Sequence, residues 1–196
     1  MARVEPIPPR QWPARMRDAL AAMTPPEPRH PATYREGRPR ALNSLGTFAH
    51  HPELARALFT LNGHVMRGTT LTSRQRHLLV IRVAAVRRCG YVWAQNVPVG
   101  LDAGLTEGEI GRIALGPDAP FWEPLDAALL RAVDELIADG TITDPTWTAL
   151  AAELDTQQLL DVILTVGAYE ISAFMMGALQ LDFDDDLKPA STPTAT

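Results

Sequence analysis

The chain has 196 residues, 46% of them apolar, and a formal net charge of -5. That is enough apolar material for one medium domain whose core forms without staples. Its single cysteine, Cys89, excludes an internal disulfide and with it a disulfide-framed secreted fold, so a reducing, cytoplasmic setting is expected. The N-terminus has no apolar leader core, and charges break the apolar stretches short of the ~18 residues a bilayer span needs. Neither a targeting segment nor a membrane partner is expected.

Charge is divided unevenly. Residues 1–100 carry 15 Arg and 5 acids, whereas residues 101–196 carry 3 basic residues and 18 acids. The arginines are spread through helical patterns and are not interleaved with aromatics, so nucleic acid is not an expected partner. Complementary charge within the fold, or between subunits, accounts for the asymmetry.

In chain order, residues 1–44 form a Pro-rich arm with one short helical piece near Trp12 to Met23, expected to lie over a neighbour. His51-Pro52-Glu53 opens a helix with Leu54, Leu58, Leu61 and Val65 on one face, closed by Gly68. Thr72 or Ser73 caps the next, in which Leu78, Leu79, Ile81, Val83, Ala84, Ala85 and Val86 are too densely apolar for a surface helix. This helix is therefore central and ends near Cys89-Gly90. Another runs from Tyr91 to Ala103, with a kink at Pro98 and a stop at Gly104. Thr106 and Glu109 form a capping box at the head of a short helix. Leu125 to Ile137 is amphipathic and ends at Gly140, and Asp144-Pro145 starts a further helix. Asp155 caps a long last helix, apolar on several faces, which suits burial or a subunit contact. No period-two strand pattern or internal repeat appears. The fold class is all-α: a helical domain over residues 45–183, followed by an acidic and polar tail, 184–196, expected to be disordered.

The stretch richest in chemistry runs from Thr70 to Gly104, a buried helix, a break at Cys89, and a second helix. With His51-Pro52-Glu53-Leu54, Thr70-Leu71-Thr72 before Arg74 and Arg76, Ile81-Arg82-Val83-Ala84, Cys89 followed by Tyr91, Trp93, Ala94 and Gln95, and Gln157-Gln158-Leu159-Leu160-Asp161-Val162, the chain resembles the carboxymuconolactone decarboxylase family, which includes the alkyl hydroperoxide reductase D-like (AhpD-like) proteins. The resemblance implies an all-helical fold, a homo-oligomer (trimer or hexamer), no cofactor, and a reaction centre near the helix after the cysteine.

Peroxidase-type members of that family resemble Glu-x11-Cys-x2-Cys-x3-His. Laid on Cys89, the glutamate position holds His77, the second cysteine position Val92 and the histidine position Asn96. A dithiol cycle needs a resolving thiol beside the attacking one, and valine supplies none. The remaining candidates are His77, Cys89, Asn96 and Glu170 as catalytic groups, with His64, Arg82, Tyr91, Trp93 and Gln95 as substrate-binding groups. Histidine suits proton transfer near neutral pH, and an arginine, Arg82, suits a substrate carboxylate. Tyr91 and Trp93 serve equally as pocket walls or core anchors. Cys89 serves as a small core residue or, beside Arg87 and Arg88, as a thiolate. Glu170, in the most apolar helix, is either a structural partner of the arginine-rich half or a perturbed acid. Adjacent His50 and His51 point apart and have no ligand-spaced partner, so no metal is expected.

Three functions follow as expectations. The first is a cofactor-independent lyase, decarboxylase or isomerase acting on a small organic acid or lactone by general acid-base chemistry. The second is a thiol antioxidant using Cys89, and the third a catalytically silent binding or assembly protein on the same fold.

Overall fold

The computed structural model describes residues 2–31 and 38–187. Its centre is helix α4 (Ser73–Val86), capped by Thr72, whose hydroxyl accepts from the Gln75 amide while the Gln75 side chain accepts from the Thr72 amide. Nine consecutive residues of α4, Arg76 to Ala84, are buried, so no face of this helix meets solvent over two and a half turns. Around it pack α5 (Gly90–Asp102), α6 (Glu107–Leu115), α7 (Pro124–Asp139) and α9 (Thr156–Leu179), with α8 (Asp144–Ala151) against α7. Leu78, Leu79, Ile81, Ile113, Leu129, Leu130 and Leu150 are fully excluded from water. Each such side chain contributes about 1.5–3 kcal/mol of hydrophobic stabilisation. Among the described residues no strand forms, in keeping with the all-α expectation.

The helix boundaries follow local chemistry. Thr106 and Asp155 each complete a capping box, with Glu109 and Gln158. Gly140 closes α7 in the left-handed conformation, at φ 70°. Helix α5 runs on through Pro98 and ends at Asp102.

Several features add to the sequence reading or depart from it. Part of the proline-rich arm packs within the chain: α1 (Met16–Ala21) lies on α3 (Pro52–Gly63). Met16 and Ala19 there share a second small core with Phe48, Ala49, Ala55 and Phe59. Glycine permits this contact, because a Cβ on Gly63 would stand 2.7 Å from the Met23 carbonyl oxygen, and one on Gly46 2.5 Å from that of Ile7. An unanticipated helix, α2 (Leu42–Phe48), joins this layer. In α3 the buried face is Ala55, Phe59 and Gly63 while Leu54 is exposed, and the helix ends in a π turn, His64–Gly68.

The tail also differs at its start. Asp184 is buried, accepting from the Tyr91 hydroxyl at 2.6 Å and the Asn43 amide at 2.7 Å, and Leu187 packs against Tyr91 and Met176. The rest of the expected tail, 188–196, lies outside the described residues. Finally, α9 is by length and composition apolar enough to cross a membrane, against the sequence expectation, and a third of its most apolar window is buried. Its two acids are committed within the domain: Asp161 bonds His64 and Thr70, and Glu170 bonds Arg87.

Candidate functional site

A cavity of about 310 Å³ opens between the start of α4, one face each of α5 and α9, and the layer made by the arm, α2 and α3. Helical spacing selects its lining. On α5, Tyr91, Val92, Gln95, Asn96 and Val99 recur three or four residues apart, and on α9 so do Tyr169, Ser172 and Met176. Helix α4 supplies Arg76 and His77 from its first turns. Gly100 lets α5 approach closely, since a Cβ there would fall 2.8 Å from Ile81 Cδ1.

His77 is 3% exposed. Its Nδ1 lies 2.7 Å from the Ser73 carbonyl oxygen; a carbonyl only accepts, so Nδ1 carries the proton and Nε2 is left as the acceptor. Burial, with the neighbouring Arg76 charge as a second cause, pushes its pKa down to about 4, so the ring is neutral at pH 7.

Arg76 is 4% exposed and donates through Nη1 to the Met66 carbonyl. Among the described residues no carboxylate pairs with it. Burial lowers its pKa, with the Tyr169 hydroxyl acting in the opposite sense, yet a guanidinium keeps its proton at neutral pH. A buried charge without a counter-ion costs several kcal/mol. This arginine therefore presents an unneutralised cation to the cavity.

Asn96 donates from Nδ2 to the Val92 carbonyl at 2.8 Å, and its Oδ1 accepts a long 3.5 Å bond from the Tyr169 hydroxyl. Burial raises the Tyr169 pKa, with the Arg76 charge opposing, so the phenol remains a donor. Tyr91 turns its hydroxyl to Asp184, while the Ser44 amide donates to the phenol oxygen at 3.4 Å. Burial and then Asp184 push the Tyr91 pKa upward. Tyr91 is thus a tie between the segment entering α2 and the C-terminal segment, on the cavity wall.

Of the residues expected from sequence, His77, Asn96, Tyr91 and Gln95 come together on this cavity and the others do not. Arg82, expected to clamp a substrate carboxylate, is occupied: Nε and Nη2 donate to Asp134 at 2.7 and 2.8 Å, and Nη1 to the Ile113 and Ala114 carbonyls at 2.8 and 3.0 Å. His64 is exposed and bonds Asp161 at 2.7 Å, away from the lining. Trp93 packs between two core clusters. Glu170 is the structural partner of Arg87, accepting from its Nε at 2.8 and 2.9 Å. That pair, with Arg87 also over the Phe174 ring, commits one of the two arginines expected to favour a thiolate.

Cys89 itself occupies the residue before α5, half-buried and off the cavity, and burial pushes its thiol pKa up. Among the described residues no three His, Cys, Asp or Glu side chains group as metal ligands. Two groups were missed from sequence, Arg76 and Tyr169. A buried arginine in the first turns of an apolar helix was the available signal for the former.

The carboxymuconolactone decarboxylase family model matches residues 52–135. No curated protein matches the chain. Among solved structures, one similar fold is a protein of unknown function from Agrobacterium tumefaciens described as a putative antioxidant defence protein AhpD. It is 21% identical, with TM-score 0.65, over 70% of this chain and 94% of that one. A second is an uncharacterized peroxidase-related protein with an alkylhydroperoxidase AhpD core from Ralstonia eutropha, 16% identical, TM-score 0.65, over 84% and 96%. A third is the debrominase Bmp8, 11% identical, TM-score 0.72, over 94% and 93%. At these identities the likeness establishes the fold. Over the helical core of residues 52–135 the chain is similar to the carboxymuconolactone decarboxylase family, with one cysteine and without the dithiol pattern.

Proposed function

We propose that this chain is a cofactor-independent enzyme that isomerises a small organic acid or lactone by proton transfer, with Arg76 holding a substrate carboxylate and His77 acting as the base. The observation that carries the reading is the buried Arg76 guanidinium, unpaired among the described residues, beside a neutral His77 on one cavity. A bound carboxylate supplies the missing counter-ion through charge-assisted hydrogen bonds.

His77 Nε2 then removes a proton from a carbon next to a carbonyl. The C–H electron pair moves onto the carbonyl oxygen as an enolate, and the imidazolium returns the proton at the conjugated carbon, so no atom is gained or lost. The Tyr169 hydroxyl, only loosely engaged by Asn96, is the donor for the enolate oxygen. Binding an anion at Arg76 also removes one cause of the depressed His77 pKa, which makes His77 a better base in the complex. A carboxylate paired with a guanidinium is stabilised against loss as CO2, which favours isomerisation over decarboxylation of the held group.

The test is exchange of substrate C–H for C–D in heavy water across a panel of small unsaturated acids and carboxy-lactones, read by NMR. Wild type should exchange the proton beside the carbonyl, and His77→Gln should bind the same ligand without exchange. Exchange at the wild-type rate in His77→Gln would sink the reading. The competing thiol antioxidant reading requires peroxide consumption that Cys89→Ser abolishes.

We likewise take the partner of the outer face of α9 to be a second copy of this chain. Leu160, Leu164, Gly167, Ile171, Phe174 and Ala178 are exposed there at alternating spacings of four and three, the seam pattern by which like helices pair. Sedimentation should find an oligomer that Leu164→Glu dissociates; a monomeric wild type would refute it.

A further inference from the structure

The cavity is chemically two-ended. Arg76, His77, Asn96 and Tyr169 gather at one end, while Met23, Leu45, Phe48, Leu58 and Phe59 supply an apolar wall. Two of the wall's aromatic rings brace each other edge to face, Phe48 and Phe59, with centroids 5.4 Å apart at 76°. Of the other cations that reach the cavity, Arg38 is bound through two nitrogens to the Asp102 carboxylate. Arg40 is exposed, so its guanidinium is a solvated cation and not a buried one. One buried cation unpaired among the described residues leaves a place for one carboxylate. A second would sit against the apolar wall, and an unpaired charge moved there from water costs several kcal/mol.

From this division we infer that the site selects monocarboxylates with an apolar, ring-sized body over dicarboxylates and small polar acids, an inference that rests on Arg76 being the carboxylate anchor. Size agrees: a dry cavity of about 150 Å³ accepts a benzene ring, and about 310 Å³ accommodates a ring with its carboxylate and a short linker. Part of the selecting wall lies outside the residues that the family model matches. Met23, Leu45 and Phe48 precede the matched residues 52–135, and they are held in place by the close backbone approaches at Gly46 and Gly63. The arm is thus a specificity element, seated on the cavity by its own small core.

The experiment is titration calorimetry of the full chain with four probes: hydrocinnamate, its neutral amide hydrocinnamamide, glutarate and propanoate. Hydrocinnamate should bind at least tenfold more tightly than either glutarate or propanoate, and at least tenfold more tightly than the amide. Leu45→Ala, a mild change on the half-buried wall, should weaken hydrocinnamate several-fold and leave propanoate unchanged. Leu58→Lys should shift preference at least tenfold toward glutarate by placing a second cation in the wall. If glutarate binds as tightly as hydrocinnamate and Arg76→Gln weakens both, the selectivity inference is overturned and the carboxylate anchor stands. If the amide binds as well as the acid, or Arg76→Gln changes nothing, the anchor itself is overturned.

Discussion

Helix α4 carries two buried arginines six residues apart, and they live opposite lives. Arg82, 9% exposed, spends its guanidinium on the Asp134 carboxylate and two carbonyls at the end of α6. The chain makes room for it: at Gly116, with φ 108°, a Cβ would stand 2.8 Å from Arg82 Nη2. Arg76, 4% exposed, has one carbonyl and lines the cavity without a carboxylate partner among the described residues. A buried cation supplied with its anion is a structural joint. One left without it, beside a neutral histidine, is a binding site held at a cost to stability.

That contrast breaks most sharply on the joint. Arg82→Met should destabilise the fold by about 3 kcal/mol, since it leaves the Asp134 carboxylate and two carbonyls unmatched; urea denaturation measures it, and a loss under about 1 kcal/mol would make Arg82 dispensable. A nearly equal effect is expected from acid. His77 keeps a folded pKa of about 4 against 6.5 when free, so the unfolded chain binds the extra proton between those values. Stability is therefore undiminished above pH 6.5 and declines as pH falls toward 4, by at most about 3 kcal/mol at ~1.4 kcal/mol per unit. His77→Gln should flatten that decline relative to wild type. Arg76→Met should shorten it, because removing the adjacent cation lets the His77 pKa rise.

The third prediction is one of sign. Where Arg82→Met destabilises, Arg76→Met should be neutral or stabilising by about 1 kcal/mol in the absence of ligand, since it removes a buried unpaired charge at the loss of one hydrogen bond. Smallest of all, Cys89→Ser should alter neither carboxylate binding nor C–H exchange, and should change stability by about 1 kcal/mol or less. A loss of exchange in Cys89→Ser would return the thiol to the centre of the chemistry.

How much of this was legible beforehand depended on how local the deciding interaction is. The capping boxes at Thr72, Thr106 and Asp155, and the density of apolar residues in α4, are short-range signals and located their helices. The family spacing from Cys89 pointed to His77, Val92 and Asn96, all of which line the cavity, although Cys89 does not. Choosing between the two arginines needed tertiary information: Asp134, which occupies Arg82, lies 52 residues away. The same is true of Glu170, whose partner Arg87 is 83 residues distant, and of Asp184, which reads as one more charge in an acidic run until Tyr91 and Asn43 reach it. In α3 two apolar faces compete in the sequence, and the arm's own core chose Ala55 and Phe59 over Leu54.

The most direct test is the thermal midpoint of wild type and Arg76→Met, each measured by calorimetry with and without hydrocinnamate. A ligand that binds only the folded state at a hundred times its Kd adds about 2.7 kcal/mol of stability. Wild type should therefore rise by several degrees, and Arg76→Met should begin at or above the wild-type midpoint and stay there. Equal rises in both proteins, or no rise in wild type, would contradict the assignment of Arg76 as the carboxylate anchor.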